Sequence, residues 1–290
     1  MTLHTSWHGQ FDEIKSAGKD CLGRRSRFKR QVSDKRIHLN ERDIDVLRWL
    51  YRYRYLRTSH LTQIFKPRSP KRFVERLGDL FHETGYINRP NLLGDRFSAH
   101  ATSMLYEISN KGIELLEVQG VLPDRAVTFS RRSPRSYSPQ HLHTMMIIEA
   151  LLEIELETTT NINQRFVSVD EILARAPECA RLARNPLRIP VTLKPCTEHP
   201  IIRSRQETHL IPDALYGIEY LIDGEKRYRF WALECERTSP GSRANASASS
   251  TALKRAAYDA LIKSRAYKSY WGIPNLKLHL VTTTMEQTGR

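Results

Sequence analysis

The chain has 290 residues, 40% of them hydrophobic, and 46 Lys plus Arg against 32 Asp plus Glu, for a formal net charge of +14. This length suits two ordinary domains; the lack of any apolar run of about 18 residues excludes a membrane-spanning helix, and the opening MTLHTSWHGQFDEIKSAGKD lacks the apolar stretch of a secretory signal, so a cytoplasmic protein is expected. The excess of positive charge suits a polyanionic partner, most simply nucleic acid.

In chain order, residues 1–38 hold nine basic and four acidic side chains, with RRSRFKR at 24–30. This basic arm is expected to be disordered and able to lie along phosphates. LNERDIDVLRWLYRYRYLR (39–57) places Ile44, Leu47, Leu50 and Tyr51 on one helical stripe, with Asn40 as N-cap and Asp43 completing a capping box. TSHLTQIF (58–65) reads as a short helix capped by Thr58 or Ser59. KRFVERLGDLFHETG (71–85) reads as a longer one stopped by Gly85. YINRP and MLYEIS read as short strands, and KGIELLEVQ as a helix. Helix, short helix, basic helix and hairpin is the order of a winged helix-turn-helix, here over 39–120, whose third helix enters the major groove. Lys66, Arg68, Lys71, Arg72 and Arg76 lead into that helix and suit phosphates and guanine edges; Arg89 and Arg96 fall in the loop expected to form the wing. A winged helix that serves protein contacts is the alternative. Residues 121–140, rich in Ser, Pro and Arg, read as a linker.

The second half, 141–290, begins with a helix at 141–157 and a strand at 165–173. Two strands then follow within HLIPDALYGIEYLIDGEKRYRFWALECERT (209–238), joined by a turn at Asp223-Gly224. A helix over 249–272 and a strand over 276–284 complete an α/β domain, and GSRANASASS (241–250) reads as a mobile loop. Side chains alternate along a strand, so Glu234 and Glu236 share a face and Cys235 takes the other. Asp213, next to Pro212, reaches the same edge if the strands pair. Three convergent carboxylates repel unless a cation lies between them, and a hard ion such as Mg²⁺ prefers such oxygens and can activate water against a phosphodiester. The alternative leaves them as solvated edge charges. His141 and His143, two apart at a helix start, either assist such a site or pack. Cys196-x-x-His199 is a metal-ligand fragment without a second pair at zinc spacing, and the four cysteines show no disulfide pattern. No Gly-rich phosphate loop and no Ser nucleophile elbow is present.

Pro212-Asp213 and Glu234-Cys235-Glu236 resemble the first two motifs of the PD-(D/E)xK nuclease superfamily, except that Glu236 stands where that motif has lysine. A lysine of the following helix then fills the role, Lys263 first and Lys254 behind it, with Glu149 as a further acid. The chain as a whole, over 39–284, resembles the replication-relaxation family of plasmids and mobile elements. The resemblance rests on RDIDVLRWLYRYRYLRTSHLTQIF, RLGDLFHETGYINRP, LYEISNKGIELL, His141 and His143, PDALYGI, WALECERT, and Lys263 with Tyr267. It implies a winged helix followed by a restriction-endonuclease-like α/β domain. It also implies a protein that binds double-stranded DNA in replication, mobilisation or their regulation, alongside other replication or mobilisation proteins. Two alternatives stand beside it. One is an active endonuclease with Asp213, Glu234, Glu236 and Lys263 as catalytic set and the three acids on Mg²⁺. The other is a transcriptional regulator whose second domain forms a homodimer.

Overall fold

The computed structural model describes residues 25–33, 35–91, 103–120, 122, 139–238 and 245–284. They fall into two compact units, the first running to Leu122 and taking in the start of the helix that opens at Pro139, the second from Leu142 onward.

In the first unit α1 (Glu41–Tyr53) starts at Asn40, whose side chain accepts from Asp43 N while Asp43 returns the bond, so the capping box is present. The helix stops at Arg54, which has φ 65°, and β1 (Tyr55–Arg57) follows. The expected helix through residue 57 is therefore cut short, because Tyr55 and Leu56 are buried in a ladder with β3 instead of extending the helical stripe. In α2 (Thr58–Phe65) Arg57 is the N-cap; the Thr58 hydroxyl donates to Met104 O at 3.3 Å and is not spent on capping. The third helix, α3 (Pro70–Asp79), has Ser69 as N-cap and proline in its first turn, where a missing N–H costs nothing. It widens into a π-helical turn (Leu80–Thr84) and stops at Gly85, with φ 71°, a left-handed conformation that glycine adopts without strain. β2 (Ile87–Asn88) and β3 (Leu105–Ile108) complete an antiparallel sheet in the order β1-β3-β2, followed by α4 (Asn110–Val118). Leu47, Leu50, Leu61, Leu77, Leu80 and Leu116 fill the core between them.

The described part of the basic arm, 25–33 and 35–38, packs on α3 and does not stand free. Arg30 donates to Phe81 O at 2.9 Å and Ile87 O at 2.8 Å, and Arg25 pairs with Asp79 and Glu83. The physical reason is that the orphan carbonyls at the helix end and two acids on α3 give these cations partners within the chain. Residues 1–24, and the greater part of the linker expected at 121–140, lie outside the described residues.

In the second unit α5 (Pro139–Thr160) precedes β4 (Gln164–Val167). The strand expected over 165–173 ends early because Ser168 caps a short helix, α6 (Val169–Ala174), whose first turn carries Asp170 and Glu171. After α7 (Glu178–Arg181), β5 (Ile189–Leu193) and β6 (Gln206–Leu210) form a separate antiparallel pair that the sequence reading did not contain. β7 (Ala214–Ile222) and β8 (Glu225–Thr238) form the expected hairpin, and Asp223 and Gly224 both have positive φ, 53° and 80°, as a two-residue turn requires. β8 also pairs in parallel with β9 (Lys277–Thr284), giving the order β4-β7-β8-β9. A parallel pair needs a crossover, which carries α8 (Asn245–Ser264) and α9 (Ala266–Tyr270). Residues 245–250 of the expected loop thus open α8, and the remainder of that loop lies outside the described residues.

The alternation of β8 sorts its neighbours. Leu233 and Cys235 cluster with Ala214, Tyr216 and the α5 residues Met146 and Ala150. Phe230 and Ala232 cluster on the other face with Leu215 and the α8 residues Ala257, Tyr258 and Leu261.

Candidate functional site

The second unit brings Asp213, Glu234, His143, Lys254 and Tyr258 together. The register Ala214↔Leu233 places Asp213, one step before β7, beside Glu234. Its Oδ2 accepts the Cys235 N–H at 2.9 Å, so the carboxylate continues the ladder where the β7 backbone leaves it. Its Oδ1 lies 3.3 Å from His143 Nε2 on α5 and 4.0 Å from Lys254 Nζ on α8. Glu234 is 4% exposed and takes two donors from α8: Lys254 Nζ on Oε2 and Tyr258 Oη on Oε1. Lys254 and Tyr258 are four apart, one helical turn, so they meet the same carboxylate. Glu236, two residues along the same face, is more exposed and lies 3.8 Å from Arg255.

Burial pushes both neighbouring acids towards protonation. At Asp213 the hydrogen bonds from His143 and Cys235 N and the charge of Lys254 outweigh it, and the carboxyl titrates below its ordinary range. At Glu234 burial prevails over Lys254 and Tyr258, with the Asp213 charge adding to it, and the pKa is raised. Burial also lifts the Cys235 thiol to about 12 and raises the Tyr258 hydroxyl. The two neighbouring carboxyl groups are thus shifted in opposite directions, Asp213 down and Glu234 up, with Lys254 against Glu234 and 4.0 Å from Asp213.

Lys263, the lysine expected beside the acids, pairs instead with Glu198 at the protein surface. The reason is helical phase: nine residues at roughly 100° each carry Lys263 to the side of α8 opposite Lys254. There it lines a cavity with Cys196, His199 and Asp259, and His199 Nε2 lies 2.6 Å from Asp259 Oδ2. Glu149 lies exposed on α5. His143 is the histidine that reaches Asp213, whereas His141 is buried and burial lowers its pKa. Two residues turn a helix by roughly 200°, so the spacing shows that the two histidines face opposite ways but not which of them meets the acids.

The three carboxylates do not close on one point. Each faces an N–H, O–H or cationic donor of the chain, and among the described residues no group of three His, Cys, Asp or Glu side chains is placed to hold a metal ion. The arrangement as built is one of acids neutralised by lysine and arginine, and a dication would have to displace Lys254 from Glu234.

The cations expected to meet DNA separate into two groups. Lys66, Arg68, Lys71 and Arg72 are exposed at and before the start of α3. Arg76 is committed inside the unit: Nε and Nη2 bond the two oxygens of buried Asp43 at 3.0 and 2.6 Å, and Nη2 also meets His38 O. Arg89, expected on the wing, is instead part-buried against the body of the unit. Its guanidinium stands over the Phe81 and Tyr106 rings at 4.5 and 5.4 Å, where two aromatic faces replace water. Arg96 lies outside the described residues.

A family model described as replication-relaxation matches residues 47–276, from within α1 to the residue before β9 and including Asp213, Glu234 and Lys254. No curated protein and no solved structure matches the chain.

Proposed function

The chain belongs to the replication-relaxation family, and from that premise we propose that it is a double-stranded-DNA-binding protein of a mobile element whose first unit works as a winged helix. Membership suggests a role in replication or mobilisation of such elements. The observation that carries the DNA reading is the placement of Lys66, Arg68, Lys71 and Arg72, exposed around the Ser69-capped start of α3. A helix N-terminus presents unpaired N–H groups and a positive dipole end, and four cations around it add to the attraction for phosphate. The order of α1, β1, α2, α3 and the β2–β3 pair supports the same reading, since it is the order in which a winged helix presents its third helix. Duplex DNA from the element's own replication region, titrated in fluorescence anisotropy, tests it. The wild type is expected to bind with strong salt dependence, and the Arg68→Ala, Lys71→Ala, Arg72→Ala triple variant to lose most of the affinity. Equal binding by both proteins would sink the reading.

A second reading, cleavage of DNA by the second unit as a nuclease-like domain with Mg²⁺, is favoured by one observation: Lys254 stands between Asp213 and Glu234. In that reading Asp213 and Glu234 would hold the ion, which would supply charge neutralisation at the phosphate, and Lys254 would be freed to face the substrate. Supercoiled plasmid carrying the element's sites, incubated with Mg²⁺ or Mn²⁺, decides between the two. Nicking lost in Asp213→Ala, Glu234→Ala supports cleavage; intact plasmid that is nonetheless bound leaves DNA binding alone.

A further inference from the structure

From Arg30 onward the arm runs from the end of the third helix back towards its start. Arg30 caps the far end, donating to Phe81 O, Gly85 O at 3.3 Å, Ile87 O and Asn88 Oδ1 at 2.7 Å, and it stacks over Phe81 at 5.3 Å. Gln31 N donates to His82 Nδ1 at 3.2 Å, and Ser33 gives Glu83 both its N–H at 2.8 Å and its hydroxyl at 2.9 Å. Lys35 meets Asp79, and His38 O meets Arg76. The chain thus travels from the C-terminal end of the helix back towards its start and then enters α1.

Asp79 and Glu83 anchor this path. Their side chains are 8% and 3% exposed beneath Arg25 and Lys35. Burial would raise the Glu83 pKa, but the two Ser33 bonds and Arg25 outweigh it. Lifting the arm away would take from both carboxylates the Arg25, Lys35 and Ser33 donors that now face them.

Residues 72, 76 and 79 share a face of α3 by helical spacing. The arm therefore lies beside the stripe whose leading end is Arg72, and its own Lys29 and Arg36 are exposed. We propose that Asp79 and Glu83 are positioning residues, an anionic clamp that fixes the arm along α3 so that Lys29 and Arg36 extend the phosphate-contacting surface. This rests on the DNA-binding reading above. The arm then contributes contacts already ordered before binding, and not a tail that must be ordered on arrival.

The test is the salt dependence of duplex-DNA affinity for the full chain, with trypsin protection of the arm as a second readout. Lys29→Ala, Arg36→Ala changes only exposed side chains and is expected to make the slope of log affinity against log salt shallower by about two, since each phosphate contact contributes about 0.9. Asp79→Asn, Glu83→Gln is expected to do the same and to speed trypsin cleavage within 25–36. An unchanged slope in the first variant, or tighter binding in the second, overturns the proposal. If the wild type binds DNA and only these differences fail, this inference falls alone. If the wild type binds no duplex DNA, the DNA-binding reading falls and takes the phosphate role with it, while the trypsin result still decides whether Asp79 and Glu83 hold the arm.

Discussion

Lys254 touches the buried carboxylate of Glu234 and lies 4.0 Å from Asp213, so one ammonium answers an acid of β8 and an acid that immediately precedes β7. Removing it leaves Glu234 buried with only the Tyr258 hydroxyl. Lys254 is 42% exposed, so water softens the loss, and Lys254→Met is expected to cost about 2 kcal/mol in urea denaturation, below the range for a fully buried pair. Adding Glu234→Gln is expected to restore most of that loss. A double variant no more stable than the single one would show that the two residues are not coupled.

Arg72→Ala and Arg76→Ala are expected to separate binding from folding. Arg72 is exposed, so its loss leaves the melting curve in place and weakens DNA binding, with the salt slope shallower by about one. Arg76 holds both oxygens of Asp43, the residue that also completes the α1 capping box. Arg76→Ala is therefore expected to destabilise the first unit by about 2–4 kcal/mol, read by thermal melting of the protein without DNA.

Glu219 supplies an acid-limb prediction. Hydrogen bonds from Arg165 first, then Tyr228 and Lys226, hold its pKa at about 2 against an ordinary 4.5. A depressed carboxylate contributes stability that is fully present above its unfolded pKa and is lost as pH falls through the folded one. Glu219→Gln is expected to lower stability at neutral pH and to flatten the decline between about pH 4.5 and pH 2, measured as urea midpoints across that range. A decline of unchanged steepness would contradict the assignment.

Gly112 lies in the first turn of α4 with no room for a side chain: a Cβ there would stand 2.5 Å from Tyr86 O and 2.8 Å from Ile108 Cγ1. The first of these is backbone that also accepts the Ser109 N–H, so it cannot swing aside. Gly112→Ala, usually mild in a helix, is expected to cost about 1–3 kcal/mol here through overpacking, read by thermal melting.

Local signals carried what was legible in the sequence. The Asn40–Asp43 box, the Gly85 stop, the Asp223-Gly224 hairpin turn and the shared face of Glu234 and Glu236 all depend on residues a few positions apart. What the sequence hid depends on phase and on distant partners. Choosing Lys254 over Lys263 requires knowing which side of α8 meets the strand ends. Arg76 and Arg89 look like free cations until Asp43, Phe81 and Tyr106 are placed around them. Ser168 and its acidic followers formed a helix-start signal inside a stretch whose Val and Ile content suggested a strand. IPVTL and QETHL are short, and only their pairing with each other makes them strands.

The parallel pairing of β8 with β9 sets the order in which the acid cluster acquires its charges. On emerging from the ribosome, the β7–β8 hairpin can zip at once, because its strands are neighbours in sequence. Asp213 and Glu234 then sit side by side before α8, which carries Lys254 and Tyr258, has been synthesised in full. Those two arrive only with the crossover, and β9 closes last. A nascent chain caught between these steps holds the two carboxyl groups side by side with His143 near Asp213 but without Lys254 between them. The lysine of the cluster thus arrives late in synthesis, with α8, and before β9 completes the sheet.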